Sequence, residues 1–198
     1  MARVAPLSNT DLSARANEIQ RIEQMRGHPL NNCYRTMARK PNILKAITDL
    51  SIAVMREPGG TPTSLRWMVA HVASNAAGCR YCTAHTARNA TTRGDVSEEK
   101  ISAIWEYQTS LLFSEAERAA LDLALAAGSC PPSVDDEHFS RLRLHFSEDQ
   151  IVEIVAAIAM FGWFNRWNDT VGSDLEEGAL NFRRDHRVAA GWALNQNT

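Results

Sequence analysis

Apolar residues recur along this chain at intervals of three and four, the spacing of one face of an α-helix, and no stretch carries a strand signal. Leu12, Ile19, Ile22 and Met25 form one stripe, which predicts a polar helix over Asp11 to Met25 that Gly27-His28-Pro29 breaks. A short helical stretch from Asn31 to Arg39 follows, with Cys33, Tyr34 and Met37. Pro41 then opens a helix whose broad apolar face (Ile43, Leu44, Ile47, Leu50, Ile52, Val54, Met55) predicts burial on both flanks. Pro58-Gly59-Gly60 ends it. Thr61-Pro62-Thr63 starts the next, which runs through Leu65, Met68, Val69, Val72 and Ala73 to Gly78.

The second half is punctuated by caps. Ser97-Glu98-Glu99 starts a short helix with Ile101, Ile104 and Trp105. Ser114 and Glu117 make a capping box for an Ala/Leu helix ending at Gly128, and Cys130-Pro131-Pro132 reads as a loop. Asp135 to Phe146 is helical, with His138 and His145 on a solvated face. A second box, Ser147 to Gln150, leads into Ile151–Val171, the most hydrophobic helix, expected at the centre of the subunit or in a subunit interface. The expected fold is all-α, one domain over 1–198, with a core about 41–175, a peripheral N-terminal helix 11–26 and a C-terminal tail 176–198. That tail reads as a peripheral helix or an arm over a neighbouring subunit.

The chemistry concentrates between His71 and Arg93. Cys79 and Cys82 are three apart, within disulfide reach on a helical turn, and Gly78 before them closes the preceding helix. A helix start exposes N–H groups that favour thiolate. From Thr61 to Gly94 there is no Asp or Glu, whereas Arg66, Arg80, Arg88 and Arg93 are present, which is expected to lower a thiol pKa further. His85 shares a helical face with Cys82 and is the base expected to move its proton. His71 and Asn75 are expected to line the same pocket, although a satisfied core histidine explains His71 equally well. Other readings remain: a zinc half-site with His71, for which Cys33 and Cys130 supply no second close pair, or two cysteines packed in a core. Haem attachment requires a histidine where Thr83 stands. Cys33 itself reads as packing. Asn165, Arg166, Asn168 and Asp169, at the polar end of an apolar helix, either hold the redox loop or cap a subunit contact.

Composition changes little. The 198 residues are 44% hydrophobic and 22% charged with a net charge of −2, so neither nucleic acid nor an anionic membrane is an expected partner. The first residues lack the apolar run of a signal peptide, and Ile151–Phe164 is too short to span a bilayer. A cytoplasmic setting is expected, where a lone close cysteine pair is catalytic more often than structural.

The segments AAGCRYCTAHTA, VSEEK, WEY, FSEAERAALDLALA and FNRWND, spread over roughly Leu30 to Leu175, resemble the carboxymuconolactone decarboxylase-like superfamily. Within it the chain is most similar to the alkylhydroperoxidase D-like, peroxidase-related branch. The resemblance implies an oligomeric, all-helical bundle (trimer or hexamer) whose dithiol reduces hydroperoxides or passes electrons as a disulfide reductase. Two positions depart from alkylhydroperoxidase D proper: Trp67 stands where a glutamate precedes the first cysteine by twelve, and His85 follows Cys82 by three rather than four. The expected cycle has Cys82 attacking a hydroperoxide with help from His85, Cys79 closing the disulfide, and an external dithiol or thiol-redox protein resetting the pair, with no bound cofactor and no metal. Attack by Cys79 remains open, as do lactone decarboxylation, electron transfer without peroxide, and a non-enzymatic helical oligomer.

Overall fold

The computed structural model describes residues 2–186; the remainder of the expected tail, including Arg187, lies outside the described residues. The N-terminal stripe divides into α1 (Asn9–Ser13) and α2 (Ala16–Arg26), with Arg15 leaving helical geometry between them. Then come α3 (Asn32–Met37), α4 (Pro41–Met55), α5 (Thr63–Ala76), α6 (Arg80–Gly94) and α7 (Glu98–Ser102) with a 3-10 turn at Ile104–Glu106. The chain finishes with α8 (Glu115–Gly128), α9 (Asp136–Leu142), α10 (Glu148–Val171) and α11 (Glu177–His186). The fold is all-α. Among the described residues no helix is long and apolar enough to cross a membrane.

The caps act where the sequence implies. Ser114 and Ser147 each accept from the backbone N–H three residues on, and Glu117 and Gln150 return the bond to the cap backbone. Each such cap contributes about 1 kcal/mol to its helix. These local bonds explain why α8 and α10 begin where they do, independently of what they pack against.

Packing centres on α5, not on α10. Every residue of α5 from Leu65 to Ser74 is buried, including Arg66, His71 and Ser74, because α6, α8 and α10 all pack on it. Enclosure leaves Trp67 Nε1, His71 Nε2 and Ser74 Oγ with no partner among the described residues. Arg66 is better served: it donates to Val54 O and Glu57 O and pairs with Glu153, which also accepts the Gly60 and Thr61 N–H groups. At the crossing with α8 the backbones nearly touch: a Cβ on Gly128 would lie 2.6 Å from Ala73 O. By contrast α10 buries only one side. Ile154, Ala157, Ile158, Phe161 and Phe164 face inward, while Val152 (67% exposed) and Trp163 (38%) face outward, with Trp163 stacked on Trp167. Its apolar residues encircle the helix, so hydrophobicity alone does not reveal which side is covered within the subunit. Similarly α4 buries Leu44 and Ile47 but leaves Ile43 and Leu50 exposed, so one of the two flanks expected to be buried is open in the single chain.

Candidate active site

The cysteine pair sits at the joint between the central helix and its nearest neighbour. Gly78 takes φ +74, a left-handed conformation that costs glycine little, and so turns the chain out of α5. Cys79 is the N-cap of α6, so Cys82 falls in its first turn, and the two thiols contact each other directly. Both are buried, Cys79 at 0% and Cys82 at 3% exposed, yet only Cys82 lines a cavity of about 450 Å³. Cys79 lies behind it. The cavity wall opposite is aromatic, built from Tyr34, Trp67, Phe161 and Phe164 of α3, α5 and α10.

A hydrogen-bonded carboxylate organises the polar side. Glu176, just before α11, accepts from Tyr81 OH at 3.0 Å and from the Asn32 N–H at 2.5 Å, and its other oxygen lies 2.6 Å from His85 Nε2. The Tyr81 and His85 rings lie 4.4 Å apart, and the Tyr81 hydroxyl accepts the Cys33 N–H. Burial alone would raise the Glu176 carboxyl, but the bonds from His85 and Asn32 outweigh it and hold it below the usual carboxylate range. Asn168 of α10 donates to Cys82 Sγ at 3.3 Å and to Phe164 O at 2.9 Å, and its carbonyl accepts from Ser173. Of the polar residues at the end of this helix, Asn168 is thus the one that holds the cysteine segment. Asn165 is equally buried, but neither of its side-chain polar atoms has a partner among the described residues.

Several expectations change. The Cys82 thiol is pushed well above its ordinary value, first by burial and then by the neighbouring Cys79 and Cys33 thiols, with Asn168 acting the other way. The helix start and the arginines were expected to lower it; desolvation wins because the sulfur is enclosed. Arg66 also contributes little, since Glu153 and two carbonyls occupy it. His85 shares the cavity with Cys82 but hydrogen-bonds Glu176 rather than a sulfur. His71 does not line the cavity. It is fully buried, Nδ1 lies 3.1 Å from Thr86 Oγ1, and burial lowers its pKa to about 4: a core histidine.

Sequence reasoning missed four contributors. Cys33, read as packing alone, lines the same cavity and interacts with Asn168, and burial raises its thiol far above the ordinary range. Glu176 was assigned to a peripheral tail, yet α11 packs on α6 and brings the carboxylate to His85. Arg26 and His28, at the end of the N-terminal helix, form part of the cavity wall. No local pattern marks any of the four; only the polar run ending α10 carries a usable signal.

Comparison with known proteins bears on the fold and the family. The carboxymuconolactone decarboxylase family model matches residues 41–126. The chain is similar to the crystal structure of the apo debrominase Bmp8, with 36% identity, 92% of this chain and 96% of that chain covered, and a TM-score of 0.81. The same debrominase is known as a cysteine-to-alanine variant in complex with 2,3,4-tribromopyrrole. An alkylhydroperoxidase AhpD core, the peroxidase-related protein from Ralstonia eutropha JMP134, shares the fold at 23% identity and a TM-score of 0.73, over 89% of this chain and 94% of that one. The uncharacterized protein YnjA of Escherichia coli (strain K12) is 34% identical over 93 residues, 47% of this chain, and the match spans half the length of that relative. With a helical core, a cysteine pair at the start of α6 and a full-length relative at this identity, the chain belongs to the carboxymuconolactone decarboxylase and alkylhydroperoxidase D-like superfamily.

Proposed function

We propose that the protein is a dithiol-dependent reductase of organic hydroperoxides with a bulky apolar body. One observation carries the reading: Cys82 faces a large aromatic cavity while its partner thiol, Cys79, touches it from behind. The substrate meets one sulfur, and the other is already in position to resolve the product.

The steps follow from that arrangement. Because burial holds Cys82 protonated, its proton must leave during the reaction, and His85, anchored by Glu176, is the group in the cavity suited to receive it. The thiolate attacks the terminal peroxide oxygen, the O–O bond breaks, and Cys82 becomes a sulfenic acid. His85 returns the proton to the departing alkoxide, giving an alcohol. Cys79 then attacks the sulfenic sulfur, forming the disulfide and releasing water. An external dithiol, or a thiol-redox protein, supplies the two electrons that restore the pair.

A second reading is reductive dehalogenation. It is favoured by the aromatic lining of the cavity together with the 36% identity to a debrominase. Here Cys82 takes the halogen, the ring carbon keeps the bonding pair and accepts a proton, and Cys79 displaces halide as the disulfide forms. Both chemistries consume the same two thiol electrons.

The test supplies the protein and dithiothreitol with cumene hydroperoxide, hydrogen peroxide or 2,3,4-tribromopyrrole, and measures alcohol, peroxide loss and bromide. Faster turnover of cumene hydroperoxide than hydrogen peroxide, lost in Cys82→Ser, supports the first reading. Bromide release without peroxide consumption moves the assignment to the second. Activity surviving the loss of both cysteines overturns both. A trimeric or hexameric assembly, cytoplasmic in setting, belongs to the same proposal, with exposed Ile43, Leu50, Val152, Val155 and Trp163 as the apolar surface to be covered. Light scattering reads it directly.

A further inference from the structure

We propose that the cavity captures its substrate by an anionic group, a carboxylate or a similar oxyanion, seated between Arg26, Arg56 and Arg93, with the apolar remainder reaching Cys82. The inference rests on the reductase reading for its chemistry but on separate residues for its evidence. Arg26 ends α2, Arg56 follows α4 and Arg93 lies in the last turn of α6, so three helix ends bring their cations to one wall. Arginine at a helix C-terminus offsets the helix dipole, and that is the ordinary structural reason for it. The sum does not close, however. Three full charges face three ends of roughly −0.5 each, which leaves a surplus of about +1.5.

No carboxylate among the described residues removes that surplus. Arg56 donates to the Met25 and Arg26 carbonyls, while Arg26 lies 3.3 Å from the centre of the Tyr34 ring and 3.3 Å from His28 Nε2, and among the described residues none of the three arginines forms an ion pair. Glu176, the nearby acid of the cavity, is engaged by His85, Tyr81 and Asn32. Arg26 is only 6% exposed, yet its Nε has no partner among the described residues, an orphaned donor of the kind a bound group satisfies. The crowding of cations acts on the neighbouring groups as well. Arg56 and Arg93 are lowered by burial and then by neighbouring arginines, and His28 is lowered to about 4 by burial, then Arg26 and Arg93. A second cavity of about 460 Å³ shares the same three arginines, so the guanidinium wall is open on both sides.

The site therefore fits a molecule with an aromatic or branched apolar body and one anionic end. Benzoate and neutral benzamide are matched probes, and calorimetry on the full chain reads both. Benzoate is expected to bind about tenfold tighter, a difference of about 1.4 kcal/mol. Arg56→Gln and Arg93→Gln alter side chains that are half-covered at the cavity wall but still reach solvent, outside the packed core. Each is expected to weaken benzoate several-fold while leaving benzamide unchanged, and the double variant is expected to abolish the preference. Equal affinities in the wild type, or a preference untouched by both substitutions, overturns the proposal. So does a double variant that changes oligomeric state with no benzoate binding in the wild type, which would assign the arginines to a carboxylate of a second copy. Benzoate preference without turnover of peroxide or bromopyrrole sinks only the reductase reading; turnover without the preference sinks only the anion seat.

Discussion

Glu176 Oε2 lies 2.6 Å from His85 Nε2, joining the helix that carries the cysteines to a segment 91 residues later in the chain. The same carboxylate holds Tyr81 and the start of α3, so one acid ties three parts of the site together. Trp67 offers no acid twelve residues before Cys79, and the carboxylate that meets His85 comes from a different element.

Replacing that acid tests the link. Glu176→Gln is expected to slow turnover about 10- to 100-fold through loss of His85 orientation. Stability supplies an independent readout. The folded carboxyl is held below the ordinary glutamate value of 4.5, so its stabilising contribution is present above that pH and is lost as pH falls through the lower folded value. The gap in stability between wild type and variant should therefore be full at pH 6 and shrink on acidification below about pH 4.5. A gap independent of pH would show that the carboxylate charge is not what matters.

Burial of the reactive sulfur predicts a distinctive alkylation profile. Because the Cys82 thiol is raised well above 9.0, its iodoacetamide rate should still be climbing at pH 9.0, without the plateau of an activated thiolate. A plateau near neutral pH would refute the desolvated thiol. Cys82→Ser should lose turnover at least about 1,000-fold. Cys79→Ser should instead accumulate a trappable sulfenic acid after one equivalent of hydroperoxide.

Asn168 is held on both sides, donating to Cys82 Sγ and Phe164 O and accepting from Ser173. Asn168→Ala removes these bonds from a buried position and should cost about 1–3 kcal/mol in urea unfolding. Asn168→Asp adds a negative charge beside the thiols, which should slow alkylation of Cys82 further. Faster alkylation in that variant would contradict the electrostatic role.

Two glycines predict opposite signs. A Cβ at Gly128 meets the Ala73 backbone at 2.6 to 2.7 Å, so Gly128→Ala must part α5 from α8 and should cost about 1–3 kcal/mol. Gly162, within α10, has nothing within 4 Å of an added Cβ, so Gly162→Ala should stabilise by about 0.5–1 kcal/mol through helix propensity. Denaturation midpoints of the two variants, compared directly, check the crossing.

What the sequence by itself determined is what neighbours along a helix decide. The caps at Ser114 and Ser147, the opening at Pro41, the turn at Gly78 and the juxtaposition of Cys79 with Cys82 all follow from groups within four residues of one another. The N-terminal stripe shows the limit even there, since Arg15 interrupts a pattern that reads as continuous and donates instead to Ala38 O. Only the tertiary structure decided which helix is central, that His71 is enclosed, that Cys82 is desolvated, and that Glu176 and the three arginines reach the cavity. The physical reason is that a hydrogen-bonded turn is set by short-range geometry. Burial, pKa and the shape of a cavity are instead properties of whatever distant elements pack alongside, and the order of residues in α6 contains no record of α10 or α11.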